Sequence, residues 1–156
     1  MNSEVANKTR FRAEYVPYAD TGRFGKVVVD FLSGHENLRP FYGRRAALTE
    51  FEAQMTEKSE SYIHRETLVN ALKRQYAAAG LKHPGIDTLS KPNTFTVTTG
   101  HQICLFGGPL YFFYKIASAV NTCKALAEAY PDKNFVPVFW MATEDHDFEE
   151  ANHFHV

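Results

Sequence analysis

The sequence predicts an α/β fold in which a helical amino-terminal arm leads into one parallel βαβ unit. Three observations carry this. Residues 94–99 (Thr-Phe-Thr-Val-Thr-Thr) form a β-branched and aromatic run, and residues 135–141 form a second apolar run. Between them Pro109 stands where a helix begins, after a glycine-bearing loop at 100–108. Two strands joined by a crossover of that length pair in parallel, because an antiparallel return needs only a hairpin.

The segments before the unit follow in order. Residues 10–20 mix aromatic and charged side chains without a clean period and predict an irregular arm. Thr21 is a candidate N-cap for a short helix over 24–32 that Gly34 ends, and 37–43 is a connector. Residues 44–79 contain neither proline nor glycine, with apolar residues at Phe51, Met55, Ile63, Leu68, Leu72 and Tyr76. That composition predicts one long helix, or two with a kink near Ser59 to Ser61, closed by Gly80. A loop over 81–92 completes a helical segment, 1–92, before an α/β segment, 93–156. Within the crossover helix, Phe112, Ile116, Ala119, Val120, Cys123, Leu126 and Ala127 make the stripe that faces the sheet. Strands this apolar belong in a wider, covered sheet, which predicts that the unit is part of a truncated fold.

Charge and cysteine usage exclude several classes. A net charge of −1 without like-charge blocks gives no footprint for nucleic acid or an anionic membrane. The polar start lacks a signal-peptide core, and no apolar stretch is long enough to span a bilayer, so a cytoplasmic location is expected. Cys104 and Cys123 lack C-x-x-C spacing, which argues against a structural disulfide. Cys123 falls on the core stripe. Cys104 is a candidate reactive thiol, although Leu105 and Phe106 beside it point to burial.

Candidate chemistry gathers at one edge. In open parallel sheets ligands bind beyond the carboxyl ends of the strands, and adjacent strands lie about 5 Å apart. The loop with His101, Gln102, Gly107 and Gly108 therefore faces the turn with Glu144, Asp145 and His146. Gly107 and Gly108 precede a helix whose first amides lack partners, a place for a phosphate or carboxylate, with Lys115 as a nearby cation. The plainer reading is that these glycines let the helix lie close to the sheet. Asp147 and Glu150 fit a helix cap, which leaves Glu144, Asp145 and His146 for acid–base work or for a solvated turn. His101, His146, His153 and His155 with the nearby aspartates also admit a metal-dependent hydrolase, though no H-E-x-x-H spacing occurs. Arg23, Arg39, Arg44 and Arg45 are either a solvated face or a hold on an anionic substrate. A third alternative is a non-catalytic helical interaction fragment.

The same residues resemble a known family. Thr99-Gly100-His101-Gln102, Leu105-Phe106-Gly107-Gly108-Pro109-Leu110-Tyr111, Lys115 and the run from Val138 to Glu149 resemble the bacillithiol synthase family. Pro17 to Gly22 and Leu38 to Gly43 resemble its opening segments. The resemblance implies a Rossmann-like domain akin to nucleotidyl transferases and class I synthetases, of which this chain is the amino-terminal portion. It implies a carbon–nitrogen ligase that adds L-cysteine to the amino group of glucosaminyl malate, forming bacillithiol, with a coiled coil elsewhere that would make a homodimer. On this reading the chain alone is expected to be inactive. ATP is the implied activator of the carboxylate, but the loop is neither G-x-G-x-x-G nor G-x-x-x-x-G-K-[ST], and it has His101 alone in place of H-x-G-H.

Overall fold

The structure, a computed structural model, describes residues 12, 14–61, 64–145 and 147–153. Ile63, His146 and His155, singled out above, lie outside the described residues, as does the side chain of Glu150. The chain separates into two compact units, Met1–Ala46 and Ala47–Val156.

The first unit holds a 3-10 turn at Tyr18–Thr21, helix α1 at Lys26–Ser33 and a second 3-10 segment at Glu36–Phe41. None of its described residues is buried. Helix α1 starts after Gly25 rather than after Thr21, a correction with a simple cause. The Thr21 hydroxyl donates to the Tyr18 carbonyl at 2.8 Å and accepts from the Arg23 amide at 3.3 Å, so it serves the preceding turn. Gly34 ends the helix as expected.

In the second unit the long helical stretch divides into α2 (Phe51–Ser59) and α3 (Arg65–Ala78). The break falls where the kink was expected, and Ser59 Oγ bonds back to the Met55 carbonyl at 2.8 Å. The helical reading of 44–50 is corrected: a 3-10 turn at Leu48–Glu50 is the only helical structure there. Helix α4 (Gly85–Thr88) then leads to β1 (Thr94–Gln102), α5 (Leu110–Ala129), β2 (Asn134–Ala142) and α6 (Phe148–Ala151).

β1 and β2 pair in parallel, from Thr94 beside Asn134 to Gln102 beside Ala142. The crossover is therefore the predicted βαβ unit. On one face of the sheet Ala119, Cys123 and Leu126 of α5 are buried. On the other, Val69, Ile86, Leu89 and Val136 form a second core, with Leu72 and Tyr76 packed against it. One core assignment needs correction: Ala127 is exposed past the stripe's edge, and on α3 it is Val69, beside the exposed Leu68, that turns inward.

Arg65 fastens α3 to the sheet. Its guanidinium donates to the carbonyls of Leu89 at 3.1 Å, Pro92 at 3.4 Å and Thr94 at 3.0 Å. Thr94, 2% exposed, satisfies its hydroxyl on the Thr88 carbonyl at 2.7 Å. The amino end of β1 is thus fixed by side chains that replace water for its buried polar groups.

β1 is longer than predicted. Gly100, His101 and Gln102 belong to the strand, not to the loop. Gly100 is the reason the strand continues: a Cβ there would lie 2.8 Å from the Trp140 carbonyl oxygen and 3.0 Å from the Trp140 Cβ. Only glycine allows β2 to approach this closely.

Candidate functional site

Because His101 and Gln102 are consecutive strand residues, they point to opposite faces of the sheet. This divides the predicted site in two. On the α5 face, the His101 ring packs at 5.7 Å from the Phe112 ring, which in turn lies 4.9 Å from Phe139. Nε2 of His101 is 2.7 Å from the Tyr111 hydroxyl and Nδ1 is 3.0 Å from the Gln102 carbonyl oxygen. With its proton on Nδ1 the ring donates to that carbonyl and accepts from Tyr111. Cys104 Sγ lies 3.8 Å from the same Nδ1.

On the opposite face Gln102 Nε2 donates to Asp145 Oδ2 at 2.9 Å, across the two strands. Beside it Trp140 Nε1 donates to Glu144 Oε1 at 3.2 Å. The turn after β2 is held by the Asp145 amide, which donates to the Ala142 carbonyl at 3.3 Å. Sequence adjacency does bring the acidic turn to the end of β1, through Gln102.

An open cleft of about 440 Å³ lies on the His101 side. His101, Cys104, Pro109, Tyr111, Asp147, Glu149 and His153 line it. Asp147 and Glu149, read from sequence as cap and family-motif residues, flank the cleft, and Glu144 and Asp145 bond Trp140 and Gln102. Strand parity was the signal that separates these groups. Cys104 is half-buried, and both Leu105 and Phe106 are exposed, so the expectation of a buried thiol is corrected.

The glycine loop takes an unusual path. Phe106 has φ 52°, followed by Gly107 at 86° and Gly108 at 75°. A Cβ on Gly107 would lie 3.2 Å from the Phe113 ring, and one on Gly108 would lie 3.0 Å from the Cys104 Cβ. Positive φ and these contacts account for glycine at both positions. Helix α5 begins at Leu110, directly after Pro109 at its N-cap, with no side chain capping its first amides. Lys115 Nζ donates to the Gly100 carbonyl at 3.2 Å and sits 5.3 Å above the Tyr111 ring centre. Its ammonium therefore ties α5 to the end of β1.

Of the arginines, Arg39 donates to the carbonyls of Tyr42 at 2.8 Å and Gly43 at 3.1 Å. Arg45 donates to the Leu32 carbonyl at 2.8 Å, at the end of α1. Both serve the backbone of their own unit. Among the described residues, no three His, Cys, Asp or Glu side chains converge as a metal site, and no helix is long and apolar enough to cross a membrane.

A parallel crossover with ionisable turns gathered at its carboxyl edge defines the chain as part of a Rossmann-like α/β protein. Residues 11–156 match the family described as "Bacillithiol biosynthesis BshC, N-terminal Rossmann-like domain", and the chain belongs to that family. A protein of Christiangramia forsetii named "Putative cysteine ligase BshC" is 48% identical over 146 residues, covering 90% of this chain and 27% of that protein. Its namesake in Flavobacterium psychrophilum is 46% identical over 145 residues, covering 89% and 27%. The namesake in Salinibacter ruber is 34% identical over 156 residues, covering 97% and 28%. The chain spans 27–28% of the length of these relatives.

Proposed function

We propose that this chain supplies the first part of a cysteine ligase of bacillithiol biosynthesis. The ligase joins the carboxyl carbon of L-cysteine to the amino group of glucosaminyl malate. Family membership supports the reaction, and the observation that carries the site is the Gln102–Asp145 hydrogen bond at 2.9 Å. An attacking amine must give up a proton as the carbon–nitrogen bond forms, and a carboxylate held by an amide donor is placed to take it. His146 is assigned to the same acid–base group, with Glu144 supporting through Trp140. His101 and Gln102 position polar atoms of the substrates, and Gly107, Gly108 and Lys115 form the flank that receives a carboxylate.

A reacting centre beyond the strand ends is reached from both faces, which reconciles His101 with Asp145 on one substrate. ATP is the co-reactant the resemblance implies, and its role is to activate the carboxylate. The loop carries neither glycine-rich phosphate-binding spacing, and its two glycines answer to the nearby Phe113 ring and Cys104 side chain that a Cβ would meet. The proposal further includes a homodimer, formed through a coiled coil outside these residues, and a cytoplasmic location.

The test uses the full-length enzyme with cysteine and glucosaminyl malate. Asp145→Asn is expected to lower turnover by about 100-fold with the fold retained. Unchanged turnover would remove Asp145 from the chemistry.

A further inference from the structure

An amine that arrives as its ammonium ion loses two protons on becoming an amide, and Asp145 accounts for one of them. The first must leave before the nitrogen has a lone pair to attack with, and the second leaves as the carbon–nitrogen bond forms. The His101 face of the edge holds a group suited to the first. Nδ1 of His101 lies 3.0 Å from the Gln102 carbonyl oxygen, which can only accept, so that nitrogen carries the ring proton and Nε2 is left as an acceptor. The Tyr111 hydroxyl, 2.7 Å from Nε2, therefore donates to the ring. Its oxygen lone pairs are left for a donor, and both residues line the cleft of about 440 Å³. A phenol whose proton is committed in this way accepts from an ammonium group and has nothing to offer a carboxylate.

We propose that Tyr111 is a catalytic residue that takes the first proton from the substrate ammonium and passes its own to His101. The proposal rests on the ligase reading above and adds the step before the carbon–nitrogen bond forms. One N–H bond of the ammonium breaks, and its electron pair stays on nitrogen as the attacking lone pair. That proton moves to the Tyr111 oxygen as the Tyr111 proton moves to Nε2, so the phenol ends neutral. His101 becomes an imidazolium whose Nδ1–H stays on the Gln102 carbonyl, and it later returns the proton to water. His101 thus acts through Tyr111, their ring centres 5.2 Å apart. Lys115, 5.3 Å from the Tyr111 ring centre and bonded to the Gly100 carbonyl at 3.2 Å, fixes the phenol to the end of β1. Cys104, with Sγ 3.8 Å from Nδ1, and Asp147, Glu149 and His153 in the cleft lining are the other titratable groups around the pair among the described residues.

The full-length enzyme is assayed with cysteine, ATP and one of two nucleophiles, glucosaminyl malate or hydroxylamine, and the readout is the ratio of the two rates. At about pH 7 an amine of ordinary α-amino basicity is mostly ammonium, whereas hydroxylamine is largely the neutral base and has no first proton to lose. Tyr111→Phe keeps the ring and is expected to lower kcat for the amino sugar, relative to that for hydroxylamine, by about tenfold, with KM for the sugar within about twofold. His101→Gln, which retains an acceptor for the phenol but no base, should shift the ratio in the same direction, and the double variant should shift it no further than either single one. Asp145→Asn should slow both nucleophiles, since both lose a proton as the bond forms. An unchanged ratio in Tyr111→Phe would overturn the proposal and leave the ligase reading standing. If the unaltered enzyme adds cysteine to neither nucleophile, that reading fails and the proposal with it. Should His101→Gln not fold, the ratio in Tyr111→Phe decides alone.

Discussion

Gly100 shows how one missing side chain shapes the edge where the chemistry gathers. Alanine there would place a methyl group 2.8 Å from the Trp140 carbonyl oxygen, and the backbone of β2 can yield only by separating from β1. Gly100→Ala is expected to cost about 1–3 kcal/mol, measured by urea unfolding. The Lys115 bond to the Gly100 carbonyl would be disturbed with it. A second residue carries a pH dependence. Burial pushes the Cys123 thiol above its ordinary value, partly opposed by a hydrogen bond with the Val97 backbone. A raised folded value favours the neutral thiol, so its contribution is fully present below the unfolded thiol's range, near pH 8.5, and is lost as pH rises through the folded value. Unfolding free energies measured from pH 7 to 10 should fall more steeply in the wild type than in Cys123→Ala. Equal slopes would show that the thiol titrates alike in both states.

At the scale of elements, much of the fold was legible because periodicity and breakers acted locally. The α5 stripe, the parallel crossover, the break between α2 and α3 and the stops at Gly34 and Gly80 all follow from residues within a few positions of each other. Misreadings occurred where a distant partner decided. β1 continues past Thr99 because Trp140, forty residues on, accepts a close glycine, and nothing near Thr99 signals this. Likewise Arg65 looks like one more helix cation, yet it bonds three carbonyls between Leu89 and Thr94. Arg65→Ala should destabilise by about 1–3 kcal/mol, since it leaves buried or half-buried acceptors without their donor. Arg65→Lys should recover only part of that, because an ammonium cannot reproduce the planar fork. Thermal unfolding of the two variants separates these outcomes, and full rescue by lysine would mean that charge alone matters.

Across the whole molecule, the candidate site was legible as an edge and illegible as a geometry. Sequence order placed the ionisable groups at the carboxyl ends of the strands, but the face each residue takes depends on strand parity, and parity required knowing that β1 reaches Gln102. Once it does, His101 joins Tyr111 and Cys104 at the cleft, while Gln102 joins Asp145 on the other side. This partition is testable by double-mutant cycles on stability. Gln102 and Asp145 share a direct bond, so Gln102→Leu and Asp145→Asn should couple by about 0.5 kcal/mol or more. The bond is exposed to solvent, which holds the coupling near the low end of the range for residues in contact. His101→Gln and Asp145→Asn share no side-chain bond among those above and should add to within about 0.5 kcal/mol. Strong coupling between His101 and Asp145 would instead mean that the edge acts as one network, and the division of the site into two faces would have to be given up.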